Sequence, residues 1–170
     1  MNTNDSVMFM DYPEAVSVDD LDFSEKRGKH FVVIPVAEVN MPTMNALQYA
    51  KILSGEIVAI HVLLNPSDRD SIEYQWKLQD MGIPLMVLGS PEGSLIRPLA
   101  EFVGGIRNRN NDSVVTIVLP VLTGLKWWQR FLHNQTAGLI EKAFQGEAGV
   151  VTVRVPFSLT DASSKGSCAL

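Results

Sequence analysis

A concentrated set of anion-binding side chains lies late in the chain, between positions 126 and 136. Its members are cations or hydrogen-bond donors: Lys126, Arg130, His133, Asn134, Gln135 and Thr136. They stand out because the chain carries 14 Lys and Arg against 19 Asp and Glu, for a formal net charge of -5. Side chains of these types bind phosphate oxygens through charge-assisted hydrogen bonds. A helix that begins near Asn134 would add its free amide groups and the positive end of its dipole to the same site.

Simpler roles explain the same residues. Asn134 or Thr136 can cap a helix or lie on its surface, and Lys126 and Arg130 can be solvated. The sequence leaves both interpretations open.

A second candidate set lies at the ends of two apolar runs. Its members are Pro35, Val36, Ala37, Glu38, His61 and Val62. The carboxylate of Glu38 can accept hydrogen bonds from amino or hydroxyl groups of a ligand. Glu38 is explained equally well as a surface carboxylate beside the start of a helix, and a lone histidine such as His61 can be a satisfied core residue.

Composition limits the classes of function. With 46% hydrophobic and 19% charged residues, the 170-residue chain has the composition of one compact domain. The net charge of -5 argues against general binding of nucleic acid or of an anionic membrane surface, because both select basic proteins. No apolar run approaches the roughly 18 residues of a membrane span and no signal peptide is recognisable, so we expect a cytoplasmic protein.

The residues that support metal, disulfide or covalent chemistry are few and scattered. His30, His61 and His133 are too far apart in the chain to suggest a metal site. Cys168, the single cysteine, lies in a Ser/Gly/Ala tail without a base beside it, and one cysteine cannot form a disulfide framework. We therefore expect no metal, no cofactor and no catalytic residues.

Five short apolar runs, rich in β-branched residues and without alternation, predict strands buried on both faces. They lie at positions 31–36, 57–64, 84–88, 114–119 and 150–155. Helical patterns separate them at 41–53, 69–81, 95–106 and 127–144, with loops at 107–112 and 120–124. The last pattern fits either one helix or two helices that meet near His133 and Asn134. The alternation predicts an α/β fold, a five-stranded parallel sheet with right-handed crossovers and helices on both faces. We expect this domain at 30–157, a flexible leader arm at 1–29 and a disordered tail at 158–170.

The predicted topology brings the two candidate sets together. In open parallel sheets a ligand binds at the carboxyl ends of the strands, where the strand order reverses. That rule selects the loops after the first and fourth strands. Those loops lie next to Glu38 and to the donors at 126–136.

The sequences of several segments resemble the universal stress protein family. The similarity is to the stress-protein-like regulatory domain that some amino-acid and potassium permeases carry on their cytoplasmic side. The segments that carry it are HFVVIPVAEVNMPTMNALQYAKILSGEIVAIHV, GSPEGSLIRPLAEFV, VVTIVLP and KWWQRFLHNQTAGLIEKAF. The resemblance covers about residues 30–157. It implies the sheet order 3-2-1-4-5, a base-binding loop at 35–38 in which Glu38 meets an adenine amino group or a ribose hydroxyl, and a homodimer that pairs through the fifth strand.

Family members that bind ATP carry a glycine pattern after the fourth strand, G-x-x-G, nine residues, then G and Ser or Thr. Here positions 120–128 read PVLTGLKWW, without those glycines. Because glycines let backbone amides approach a triphosphate closely, we expect cyclic di-AMP instead, sensed by a non-catalytic domain that controls a cation or amino-acid transporter. The alternatives are an ATP- or AMP-binding universal stress protein and a protein-interaction domain without a ligand.

Overall fold

The computed structural model describes residues 28–90, 92–109, 112–123 and 135–158. The strands are β1 His30–Pro35, β2 Glu56–Leu63, β3 Leu85–Gly89, β4 Val114–Thr123 and β5 Val150–Ser158. The helices are α1 Met41–Leu53, α2 Arg69–Gln79, α3 Ile96–Arg109 and α4 Gln135–Phe144, with a 3-10 turn at Pro66–Asp68. Strands and helices alternate along the chain, as predicted.

The five strands form one parallel sheet in the order β3-β2-β1-β4-β5. The central strand, β1, pairs with β2 on one side and with β4 on the other, so that Val33 lies opposite both Val58 and Ile117. This architecture confirms the predicted α/β fold and its strand order. The order reverses at β1 and β4, because the chain moves outward to β2 and β3 first and then returns to β4 and β5.

The helices pack on both faces of the sheet. α1 and α2 cover a core of Val32, Ile34, Val36, Ala46, Leu47, Ala50, Ala59, Ile72, Trp76, Ile83, Val118 and Val155. α3 and α4 cover a core of Val33, Ile60, Val62, Leu99, Val103, Val115, Ile117, Leu119, Val121, Ala137, Ile140 and Phe144. Neighbours in one strand thus enter opposite cores, which explains why the apolar runs do not alternate.

The ends of α1 and α2 follow from local chemistry. Asn40 caps α1 by accepting a hydrogen bond from the Thr43 N–H at 3.1 Å, and α1 ends at Leu53, as predicted. α2 ends at Gln79, whereas the sequence predicted a helix to position 81 with Gly82 as its stop. The reason is Asp80, which takes the left-handed conformation at φ 40°, a region that the short polar side chain of aspartate tolerates.

β4 and β5 are longer than predicted. The sequence placed a loop at 120–124 and a strand end at Pro156, yet the β4–β5 ladder continues to Thr123 opposite Ser158. Pairing of β1 with β4 stops at Val33 opposite Ile117, so the N–H that Pro120 lacks is not needed for a bond to β1. Pro156 lies in an edge strand, where proline is tolerated.

α3 extends into a polar segment that the sequence assigned to a loop. The helix includes residues 107–109, and the guanidinium Nη1 of Arg107 donates to the Ser113 carbonyl oxygen at 2.9 Å. Arg107 and Arg109 lie in the last turn, where a positive charge complements the helix dipole. No helix within the described ranges has the length and apolar character needed to cross a membrane.

Candidate functional site

A cleft of about 210 Å³ opens at the carboxyl ends of β1 and β4, at the point where the strand order reverses. We call it the switch-point cleft. Its lining residues are Pro35, Ala37, Glu38, Asn40, Pro42, Thr43, Leu119, Pro120, Leu122, Thr136, Ala137 and Ile140. In parallel sheets this is the usual position of a ligand site, because loops from several strands converge there.

The β1 side of the cleft contains three of the sequence-predicted residues. Pro35, Ala37 and Glu38 line it, whereas the side chain of Val36 is only 3% exposed and packs in the core beneath α1 and α2. The Glu38 side chain is exposed. This side of the cleft therefore offers one carboxylate beside small apolar groups.

The start of α1 holds Glu38 in position. The Thr43 hydroxyl, almost fully buried, donates to the Glu38 carbonyl oxygen at 2.7 Å and lies 3.0 Å from Asn40 Oδ1. Because the Thr43 N–H also donates to Asn40 Oδ1, the amide nitrogen of Asn40 is left to face the Glu38 carboxylate, with Nδ2 3.5 Å from Oε2. Asn40, Pro42 and Thr43 were not among the sequence-predicted site residues, although an Asn before a Pro-containing first turn is a signal for a helix start.

The opposite side of the cleft is mostly apolar. Leu119 and Ile140 are each 1% exposed, and Ala137 is nearly as buried. Thr136, in the first turn of α4, adds an exposed hydroxyl to the lining. Gln135 is exposed at the first position of α4 and is not among the lining residues.

Two predicted residues on β2 are not part of the cleft lining. His61, on β2, hydrogen-bonds through Nδ1 to the Val36 carbonyl oxygen at 2.8 Å. Val62 is buried in the core beneath α3 and α4. Lys126, Arg130, His133 and Asn134 lie outside the described residues.

Charge within the described lining is negative. Glu38 is the one ionisable side chain among the lining residues, and the other polar groups are neutral. A carboxylate accepts hydrogen bonds and repels phosphate, so this part of the cleft suits the amino or hydroxyl groups of a ligand. Within the described ranges, no group of three or more His, Cys, Asp and Glu is arranged to hold a metal ion.

A separate ion-pair group lies at the start of α3. Arg97 pairs with Glu92 and, at 3.0 Å, with Glu101. Hydrogen bonds to Glu92 and then to Glu101 raise the pKa of Arg97 above its ordinary value. None of these residues lines the cleft, and all three side chains are well exposed, so we assign the group to the protein surface.

Comparison with known proteins relates this chain to a domain of a transporter. Residues 28–157 match the family described as the KimA potassium transporter C-terminal domain. The potassium transporter KimA of Bacillus subtilis (strain 168) is 26% identical over 146 residues, which are 85% of this chain and 24% of that protein. The chain thus spans about a quarter of the length of this relative. The matched region includes both sides of the cleft, and the chain belongs to the family of KimA potassium transporter C-terminal domains.

Proposed function

We propose that this domain is a non-catalytic regulatory module on the cytoplasmic side of a cation or amino-acid transporter and that it binds cyclic di-AMP in the switch-point cleft. The observation that carries the proposal is the position of the cleft. It opens between the loop after β1 and the start of α4, in a domain whose family is named after a potassium transporter. The resemblance to universal stress proteins and the sheet order 3-2-1-4-5 support the same proposal.

The described lining suits one adenine nucleoside. Pro35, Pro120 and Leu122 are half-buried lining residues that provide apolar surface for a base, and Glu38 can accept a hydrogen bond from the adenine amino group or a ribose hydroxyl. The volume of about 210 Å³ is smaller than the roughly 300–1,000 Å³ of typical ligand pockets. We therefore propose that the described walls hold one nucleoside half of a dinucleotide.

The phosphates of the ligand require a different part of the site. Since Glu38 is the one charged group of the described lining, the phosphates should lie away from it, towards the start of α4. There the Thr136 hydroxyl and the first amide groups of α4 can donate to phosphate oxygens. The sequence also predicts five hydrogen-bond donors for the phosphates: Lys126, Arg130, His133, Asn134 and Gln135.

Two features favour cyclic di-AMP over ATP. The sequence at 120–128 lacks the glycines that bring backbone amides close to a triphosphate, and β4 instead continues in extended form through Thr123. The Glu38 carboxylate also disfavours a ligand of high negative charge. The two alternatives are a domain that binds ATP or AMP and a domain that binds no ligand. Titration with adenine nucleotides distinguishes both from the proposal.

Calorimetric titration tests the proposed ligand and the α4 side of the site. We expect wild-type protein to bind cyclic di-AMP in preference to ATP and AMP. Thr136→Ala and Asn134→Ala should each weaken the binding of cyclic di-AMP by roughly tenfold to a hundredfold, because a hydrogen bond to a charged group is lost. Thr152→Ala, on β5 and outside the cleft lining, is the control and should bind as wild type does. A preference for ATP, no binding of any adenine nucleotide, or unchanged affinity in both Thr136→Ala and Asn134→Ala contradicts the proposal.

A further inference from the structure

His61 makes a hydrogen bond that fixes the start of the β1 loop. Its Nδ1 lies 2.8 Å from the carbonyl oxygen of Val36, which is the first residue after β1. A carbonyl oxygen can only accept, so Nδ1 must carry the proton. The Val36 N–H donates in turn to the Ile60 carbonyl oxygen at 2.8 Å. Both backbone polar groups of Val36 are therefore held by β2.

This bond also orients the next residue. The Val36 carbonyl and the Ala37 N–H belong to one planar peptide group, so a fixed carbonyl direction fixes the direction of the Ala37 amide. Ala37 and Glu38 are the residues by which the β1 loop lines the cleft. At the other end of this short segment, the Thr43 hydroxyl donates to the Glu38 carbonyl oxygen at 2.7 Å. The segment 36–38 is thus held at both ends by side chains outside it.

We infer that His61 is a positioning residue, which holds Ala37 and Glu38 in the ligand-binding conformation through its Nδ1–H bond to Val36 and without touching the ligand. The inference rests on the proposed function, since it assumes that the switch-point cleft binds the nucleotide. It differs from the sequence-based hypothesis, in which His61 is one of the candidate ligand-binding residues. The absence of His61 from the described lining of the cleft supports the positioning role.

Two substitutions of His61 distinguish a positioning role from direct contact with the ligand. The side-chain amide nitrogen of asparagine occupies the place of histidine Nδ1, whereas that of glutamine occupies the place of Nε2. We expect His61→Asn to bind cyclic di-AMP within about threefold of wild type and His61→Gln to bind roughly tenfold more weakly, because only asparagine can restore the bond to Val36. The reverse order, with glutamine tolerated and asparagine not, shows that Nε2 contacts the ligand and overturns the inference.

A matched control lies at the opposite end of the sheet. His30, the first residue of β1, has its Nε2 2.8 Å from the Thr116 hydroxyl oxygen. His30→Asn removes a partly buried hydrogen bond of the same length, far from the carboxyl ends of the strands. We expect its affinity for cyclic di-AMP to match that of wild type, and a loss equal to that of His61→Gln would assign both effects to general destabilisation.

A measurement on the ligand-free protein keeps the inference testable if the proposed function fails. Isotope-labelled histidine reports by NMR which ring nitrogen of His61 carries the proton, and amide hydrogen exchange reports the order of Ala37 and Glu38. We expect a protonated Nδ1, and faster exchange at these two amides in His61→Gln than in His61→Asn. A neutral ring protonated at Nε2, or equal exchange in both variants, overturns the positioning role. Absence of nucleotide binding by wild-type protein with the expected NMR result contradicts the proposed function alone.

Discussion

At the scale of single residues, Glu38 is expected to have the largest effect on ligand selectivity, because it is the one charged group of the described cleft lining. Its backbone carbonyl is held by Thr43 and its carboxylate faces the amide of Asn40. The first contact fixes the backbone at Glu38, the second is made to the carboxylate itself, and neither brings a positive charge to it. A carboxylate held in this way can distinguish a ligand that presents an amino group from one that presents a carbonyl, because only the amino group donates.

Base selectivity is expected where Glu38 accepts a hydrogen bond from the adenine amino group. We expect wild-type protein to bind cyclic di-AMP and to reject the analogue with hypoxanthine in place of adenine, whose carbonyl oxygen would face the Glu38 carboxylate. Glu38→Ala should weaken cyclic di-AMP by roughly tenfold and reduce the difference between the two ligands. Calorimetry with both dinucleotides measures this. Glu56→Ala, which removes an exposed carboxylate at the start of β2, is the control. Equal selectivity in wild type and Glu38→Ala would remove Glu38 from base recognition.

Glu38 was predicted because it follows a strand at the end where parallel sheets bind ligands, and Thr136 because it belongs to the set of hydrogen-bond donors at 126–136. Asn40 and Thr43 were not predicted. These residues are recognisable in the sequence as parts of a helix start, and only the folded chain brings them to the same cleft as Leu119 and Ile140. Nor could sequence assign His61 to Val36, since that bond joins residues on neighbouring strands.

At the scale of elements, the strands were predictable because each central strand is buried on both faces. Fully buried runs such as that of β1 contain almost no polar residue, so their positions are evident from composition alone. The errors lie at element ends, where tertiary context decides. β4 and β5 continue through Pro120 and Pro156 because they pair with each other beyond the point where β1 ends, and that pairing is invisible in either segment alone.

The cap of α1 is the element-level feature with the clearest energetic consequence. Asn40→Ala removes the acceptor for the Thr43 N–H and should lower the free energy of unfolding by about 1 kcal/mol. Asn40→Ser keeps an N-cap oxygen and should cost much less. Urea denaturation of the three proteins, with a common slope against urea concentration, measures the difference. Equal destabilisation by alanine and serine would show that the amide of Asn40, and not its capping oxygen, stabilises the start of α1.

At the scale of the whole molecule, the two edges of the sheet differ. Each edge strand carries an exposed apolar side chain, Met86 at 40% on β3 and Val151 at 47% on β5, but β3 has five residues and β5 has nine. β5 pairs with β4 on one side, and within the described sheet no strand flanks its other side. A long apolar edge strand tends to recruit another strand, and a second copy of the chain supplies an identical one. We propose that two copies associate through β5.

Light scattering at micromolar concentration tests this assembly. Wild-type protein should be a homodimer, and Val151→Lys should shift it towards monomer, because a lysine on the edge strand places like charges close together across a twofold axis. Val114→Lys is a matched control: Val114 is 41% exposed, but it lies on β4, which pairs with β1 and β5 on its two sides. This variant should remain dimeric. A monomeric wild type contradicts pairing through β5. Equal dissociation of the two lysine variants also contradicts it, because the effect of the added charge would then not depend on its position in the sheet.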